Sequence, residues 1–262
     1  MNMVKYYVKR SIGSPVFAGC VVLLTLIMVI GCYPSDLAFA RTHPMSVLYC
    51  FLVTSSVGVA HVVVPLITVI PFLFHHVEEL HKGAVYFRLI RGNRKSEFAG
   101  KITAALLSAL SVSLLSLLLF TGICLLLGAG GEAGPALPSW FAGRFFGEKV
   151  KTDTWSVYAV HGLAFLLYSL PWVLIGLVAS LFLKNWYMVF ALPFVAEIVM
   201  CYITERPGLY WLHPGTGLLK GRVQALYGGG IFYSALYYGG VCVGLIMLYG
   251  FLLMRRWRNE GI

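Results

Sequence analysis

Charge is what this sequence has least of. Asp, Glu, Lys and Arg make up only 11% of its residues, against roughly 25% in a soluble domain. Acidic residues are scarcest, ten in 262. With so little polar sequence outside the apolar runs, there is no room for a separate soluble catalytic domain, and residues 1–262 read as one domain. The phosphate-binding pattern G-x-x-x-x-G-K-[ST] is missing, so the chain does not hold ATP by that loop. CxxC pairs are missing too. The six cysteines stand singly, most of them inside apolar runs where the thiol acts as a small hydrophobe, and they offer no metal or redox motif. One bridge, Cys32 to Cys50, stays open because both fall near one expected surface. Neither internal repeats nor low-complexity tracts occur.

What is abundant is apolar sequence. Hydrophobic residues reach 59% and mean hydropathy is +0.83. Six runs approach or exceed the ~20 residues that cross a hydrocarbon core: 16–31, 46–74, 100–127, 157–183, 186–203 and 231–254. The second carries Pro65 and Pro71, which predict a kink or a broken helix. The N-terminus, with Lys5, Lys9 and Arg10 before an apolar run, has the outline of a signal peptide, and Val29–Cys32 resembles a lipoprotein cleavage box. The expectation is a retained first membrane helix. Ahead of it, Val4, Val8 and Ile12 share a helical face with Met3 and Tyr7, apart from Lys5 and Lys9. This predicts a short interfacial helix, ended at Ser14-Pro15.

A formal net charge of +10 could point to nucleic acid, but the basic residues flank the apolar runs. With the N-terminus in the cytoplasm, thirteen Lys and Arg fall inside and seven outside, which predicts both termini cytoplasmic in a bacterial cell membrane. The expected partner is lipid rather than nucleic acid. The expected fold class is therefore an all-α integral membrane protein of six transmembrane helices. Two external segments follow from this layout. Residues 130–155 are polar and rich in Gly and Pro; residues 204–230 are apolar and aromatic, and read as re-entrant helices around Pro214.

The segment between the second and third runs reads HHVEELHKGAVYFRLIRGNRKSEFAGK over 75–101. Val77, Leu80, Ala84, Phe87 and Leu89 give partly helical apolar spacing, and Glu78 and Lys82 form an i,i+4 pair. An amphipathic helix with this pattern suits two uses, docking a soluble partner or anchoring to anionic headgroups. The cluster His75, His76, Glu78, Glu79 and His81 also permits metal ligation at helical spacing, as in a membrane metalloenzyme. It lacks H-E-x-x-H, and an EExxxR protease motif would need arginine where Gly83 stands. A third alternative is a sensor or immunity protein that transports nothing.

Glu79, Gly83, Arg88, Arg94 and the pair Gly100-Lys101, in that order and spacing, resemble the permease subunit of type-2 (ABC-2) ATP-binding cassette exporters. Six runs, an N-terminal amphipathic helix and His213-Pro214 before the last run fit the same architecture. The chain departs from the family in the turn, where Gly92-Asn93 stands in place of a common proline. The resemblance implies a cytoplasmic coupling helix whose contacts with a separate ABC ATPase involve Glu78, Glu79, Gly83, Phe87, Arg88, Arg91 and Arg94. It implies no cofactor on this chain, with ATP and magnesium held by that partner, and a second permease subunit, identical or related. The implied cargo is amphiphilic or hydrophobic, such as a peptide, drug or lipid-like molecule. His61 and Glu197, ionisable residues at membrane depth, are then candidates for the inter-subunit pathway. The other reading is hydrogen bonding within the bundle, Glu197 to Tyr202 or a backbone group.

Overall fold

The computed structural model describes residues 3–32, 47–52, 54–55, 60–81, 94–129, 154–183, 185–204 and 230–259. All regular structure among them is helical. The helices are α1 (Met3–Ile12), α2 (Pro15–Gly31), α3 (Val47–Leu52), α4 (Ala60–Ile67), α5 (Ile70–His81), α6 (Arg94–Leu126), α7 (Thr154–Ala179), α8 (Trp186–Thr204) and α9 (Gly230–Asn259). Five stretches, in α4–α5, α6, α7, α8 and α9, are long and apolar enough to cross a membrane; a sixth results if α1 and α2 count as one bent span. The anticipated coupling helix over 82–93 and the two external segments, with Pro214, lie outside the described residues.

Local chemistry explains the breaks. α1 ends at Gly13, whose amide donates to the Lys9 carbonyl; a Cβ there would sit 2.6 Å from that oxygen. Ser14 then caps α2, its hydroxyl accepting from the Phe17 amide at 3.2 Å, and Pro15 takes the first helical position. The two axes differ by 54°. The second apolar run is broken as its prolines predict. α4 stops at Ile67, the residue four before Pro71, where the proline ring denies the helix its next bond. Thr68 steadies the break by donating its hydroxyl to the Val64 carbonyl at 2.8 Å. At its far end α6 closes in a Schellman arrangement: Gly128 has φ 97°, Ala129 donates to Cys124 and Gly128 to Leu125.

Packing sorts the helices into an inner and an outer set. α6 buries small residues (Ala104, Ala105, Ser108, Ala109, Ser113 and Ser116) where it packs on its neighbours, α1, α2 and α7 foremost, letting backbones approach closely. Ser11 and Ser108 share a hydrogen bond of 2.8 Å, and Ser116 donates to the Val21 carbonyl at 3.1 Å. α7 touches α3, α4, α6, α8 and α9 and is the hub. Its apolar window is 67% buried, that of α8 only 17% and that of α9 only 22%. Exposed residues on α8 and α9 are large and apolar, Tyr187, Met188, Val195 and Tyr202 on one, Val243, Met247 and Phe251 on the other. Large apolar side chains thus face outward as well as filling the core, as expected where the surroundings are hydrocarbon.

Side-chain contacts fix which helix ends lie together. Phe98 at the start of α6 stacks on Tyr249 near the end of α9, and Phe74 in α5 meets Trp186 at the start of α8. α1 joins them, so the basic flanks gather at one end of the bundle. At the opposite end Phe51 of α3 meets Tyr158 of α7, and Tyr158 shares a hydrogen bond with Thr121 of α6.

Candidate functional site

The described residues hold one concentrated set of buried charges, at the basic end. α1 builds it with two faces. Tyr6 and Arg10, one turn apart, reach α5; Met3, Tyr7 and Ser11, also at turn spacing, lie against α6. The second contact needs Gly100. A Cβ there would stand 3.0 Å from the Met3 Cβ, 3.2 Å from its backbone carbon and 3.3 Å from the Tyr7 ring. With Met3 opposite Gly100 and Ser11 opposite Ser108, α1 runs alongside the first turns of α6. The expected amphipathic helix spans Met3–Ile12 and packs one face on the bundle, with Tyr7 and Ser11 buried.

The charges interlock across these contacts. Arg10 Nη1 bonds Glu79 Oε1 and also donates to the Tyr6 hydroxyl at 3.0 Å, while Nη2 lies 3.3 Å from Glu78 Oε2. Tyr6 donates to the same Glu79 oxygen at 3.3 Å. His75 Nδ1 stands 3.8 Å from Glu78. On the α6 side, Tyr7 donates to Glu97 Oε1, and Lys101 Nζ lies 3.2 Å from that atom. Glu79, Glu97 and Lys101 are 2%, 3% and 2% exposed. Burial works against the Arg10 charge, but the Glu79 carboxylate, with Tyr6 and Glu78, holds its pKa above the ordinary value. Removing one member of such a pair strands the other, so the ends of α1 and α5 and the start of α6 are fastened as one body.

Of the expected coupling residues, Glu78 is part-exposed and Glu79 is buried against α1, its carboxylate engaged within the chain. Gly83, Phe87, Arg88 and Arg91 lie outside the described residues; Arg94 is the first residue of α6, and its side chain is not described. The segment 75–101 is also less of a loop than its polarity suggests, because 75–81 continue α5 and 94–101 already belong to α6. Sequence reasoning missed Tyr6, Tyr7, Arg10 and Glu97 as members. A usable signal was present in the i,i+4 spacing of Tyr6 with Arg10 and of Glu97 with Lys101.

His61 and Glu197 are brought to one neighbourhood by a residue the sequence gave no reason to single out. Tyr168 of α7 donates its hydroxyl to the His61 carbonyl at 3.0 Å and lies beside the Glu197 carboxylate. Cys201, one turn along α8, donates to Glu197 at 3.6 Å, and Tyr238 of α9 is a further neighbour. Tyr202, the partner suggested for Glu197, is 71% exposed on the outer face of α8. Cys50 lies by both Cys32 and Cys124, a third thiol not foreseen. Among the described residues, no three His, Cys, Asp or Glu side chains are arranged to hold a metal ion.

No family model matches the sequence, no curated protein matches it, and no solved structure matches its fold.

Proposed function

We propose that this chain is the membrane-spanning permease subunit of an ATP-driven exporter of the ABC-2 type, powered by ATPase subunits it does not contain. The observation that carries this reading is the buried charged junction of Arg10, Glu79, Glu97 and Lys101. The connection 82–93 leaves from His81 and returns at Arg94, on either side of that junction. A force applied to the connection by a soluble partner would therefore reach α1, α5 and α6 together, through the Arg10–Glu79 ion pair and the Tyr7–Glu97 hydrogen bond. In this role Glu79 acts through Arg10, while Gly83, Phe87, Arg88, Arg91 and Arg94 supply the surface the ATPase grips. Both termini lie in the cytoplasm. A second permease subunit packs on the exposed apolar side of α8, and the route of an amphiphilic or hydrophobic cargo runs past His61, while Glu197, wholly buried toward α7 and α9, supports the wall from within the bundle. Alternating access needs only a few kcal/mol of differential binding between two states.

The test starts from the tagged chain purified in mild detergent from its native membrane. Because the sequence lacks a phosphate loop, ATP hydrolysis in that preparation belongs to a partner. The expected result is co-eluting, vanadate-sensitive ATPase activity that is lost from the R88E/R91E variant while the permease still elutes as a folded species. A native preparation with no ATPase activity contradicts the proposal.

A further inference from the structure

The end of the bundle opposite the charged junction gathers three of the six cysteines. Cys32 caps α2, its amide donating to the Met28 carbonyl at 3.2 Å. Thr54, just after α3, donates its hydroxyl to the same carbonyl at 2.8 Å. Gly31 lets it come close, since a Cβ there would stand 2.8 Å from the Thr54 hydroxyl. On its other side α3 is held by Phe51, whose ring lies 5.4 Å from that of Tyr158, and Tyr158 shares a hydrogen bond with Thr121. Cys124 follows Thr121 by one turn, close to the end of α6. These contacts leave Cys50, within α3, between the two. Its sulfur shares hydrogen bonds with the thiols of both Cys32 and Cys124. All three residues are 0% exposed.

We infer that Cys50 is the common member of a disulfide-forming site, bridging to either Cys124 or Cys32 while the third thiol stands ready to exchange. Three thiols in contact suit either a soft metal ion or oxidation. Among the described residues, no three side chains of the metal-binding types are arranged for an ion. Oxidation balances with hydrogen peroxide, a small neutral molecule. Its O–O bond breaks as the Cys50 sulfur takes one oxygen and becomes a sulfenic acid, and the other oxygen leaves as water. The neighbouring thiol sulfur then attacks the Cys50 sulfur and expels that oxygen as a second water. Two thiols have lost two electrons and two protons, and one peroxide has become two waters. Exchange needs no further oxidant: the third thiolate attacks the Cys50 sulfur and releases the first partner as a thiolate. A bridge to Cys124 ties α3 to α6, and one to Cys32 ties it to α2. Either fastens this end covalently, as the Arg10–Glu79 pair fastens the other by charge. In the orientation proposed above, this end faces away from the reducing cytoplasm.

The site needs no ATPase, so its failure and that of the exporter reading are separate outcomes. The purified full chain in maltoside micelles is treated with hydrogen peroxide. Remaining thiols are capped with N-ethylmaleimide in denaturant, and the non-reduced peptides are mapped by mass. The expected product is a Cys50–Cys124 or Cys50–Cys32 peptide pair, two hydrogens lighter than its parts and released by dithiothreitol. Oxidation should also raise the melting temperature, and dithiothreitol should reverse the rise. Cys124→Ala should leave only the Cys50–Cys32 bridge, and Cys32→Ala only the Cys50–Cys124 bridge. Cys50→Ala should lose both bridges and the shift in melting temperature. Should a variant fail to fold, the map of the unaltered chain decides alone. Cys50 recovered with no bridge, whether capped or as sulfinic acid, or a Cys32–Cys124 bridge formed without it, overturns the assignment.

Discussion

Glu97 and Glu197 are both almost wholly buried, 3% and 0% exposed, yet they keep different company. Glu97 has a lysine one turn away and a tyrosine from another helix, and it shares its end of the bundle with the Arg10–Glu79 pair. Glu197 lies deep in α8, where its neighbours include the Cys201 thiol and the Tyr168 and Tyr238 hydroxyls. The first setting neutralises Glu97 within α6 and ties it through Tyr7 to α1, beside an Arg10–Glu79 pair that joins α1 to α5. The second offers groups that would serve a neutral amide as well as a carboxyl. One carboxylate fastens helices; the other lines a polar spot inside an apolar wall.

The comparison can be broken by substitution. The largest effect is expected for Lys101→Met, which leaves Glu97 buried and deprived of its cation. A loss of about 3 kcal/mol is expected, read as a lower melting temperature in detergent. Gly100→Val should come next, at about 1–3 kcal/mol, because the new side chain meets the Met3 backbone and the Tyr7 ring, and neither end of that contact is slack. Faster proteolysis of the N-terminal helix would report the same loosening. Glu197→Gln should be mildest, under about 1 kcal/mol, since the amide keeps the shape and can still hydrogen-bond to its neighbours. A large loss from Glu197→Gln would place the two carboxylates in one class and remove the contrast.

Much of the architecture is legible in the sequence because apolar length and proline punctuation act locally. Ser14-Pro15 marks the corner between α1 and α2, Pro71 marks the break at Ile67, and the start of α8 falls at Trp186 as read. The charged junction is not legible, because its partners are far apart in the chain: Arg10 meets Glu79, and Tyr7 meets Glu97. In the sequence, Arg10 is one more basic flank and Glu97 one more polar residue in a loop. Gly100 illustrates the same limit. The resemblance marks it as part of a motif, whereas the fold supplies the reason, a close crossing with α1. Tyr168 and Trp186 are hidden for another reason, since an aromatic residue in an apolar run looks like ordinary packing until its neighbours are known.

The claim on which most else depends is that α1 is clamped to the rest of the bundle by charge. A double-mutant cycle on Arg10→Gln and Glu79→Gln, followed by melting of the purified chain, measures it. The prediction is that each single change costs about 2 kcal/mol and that the double change costs little more than either alone, a coupling of about 2 kcal/mol. Strictly additive losses would mean that Arg10 and Glu79 do not hold each other, and the junction would dissolve into separate helix ends.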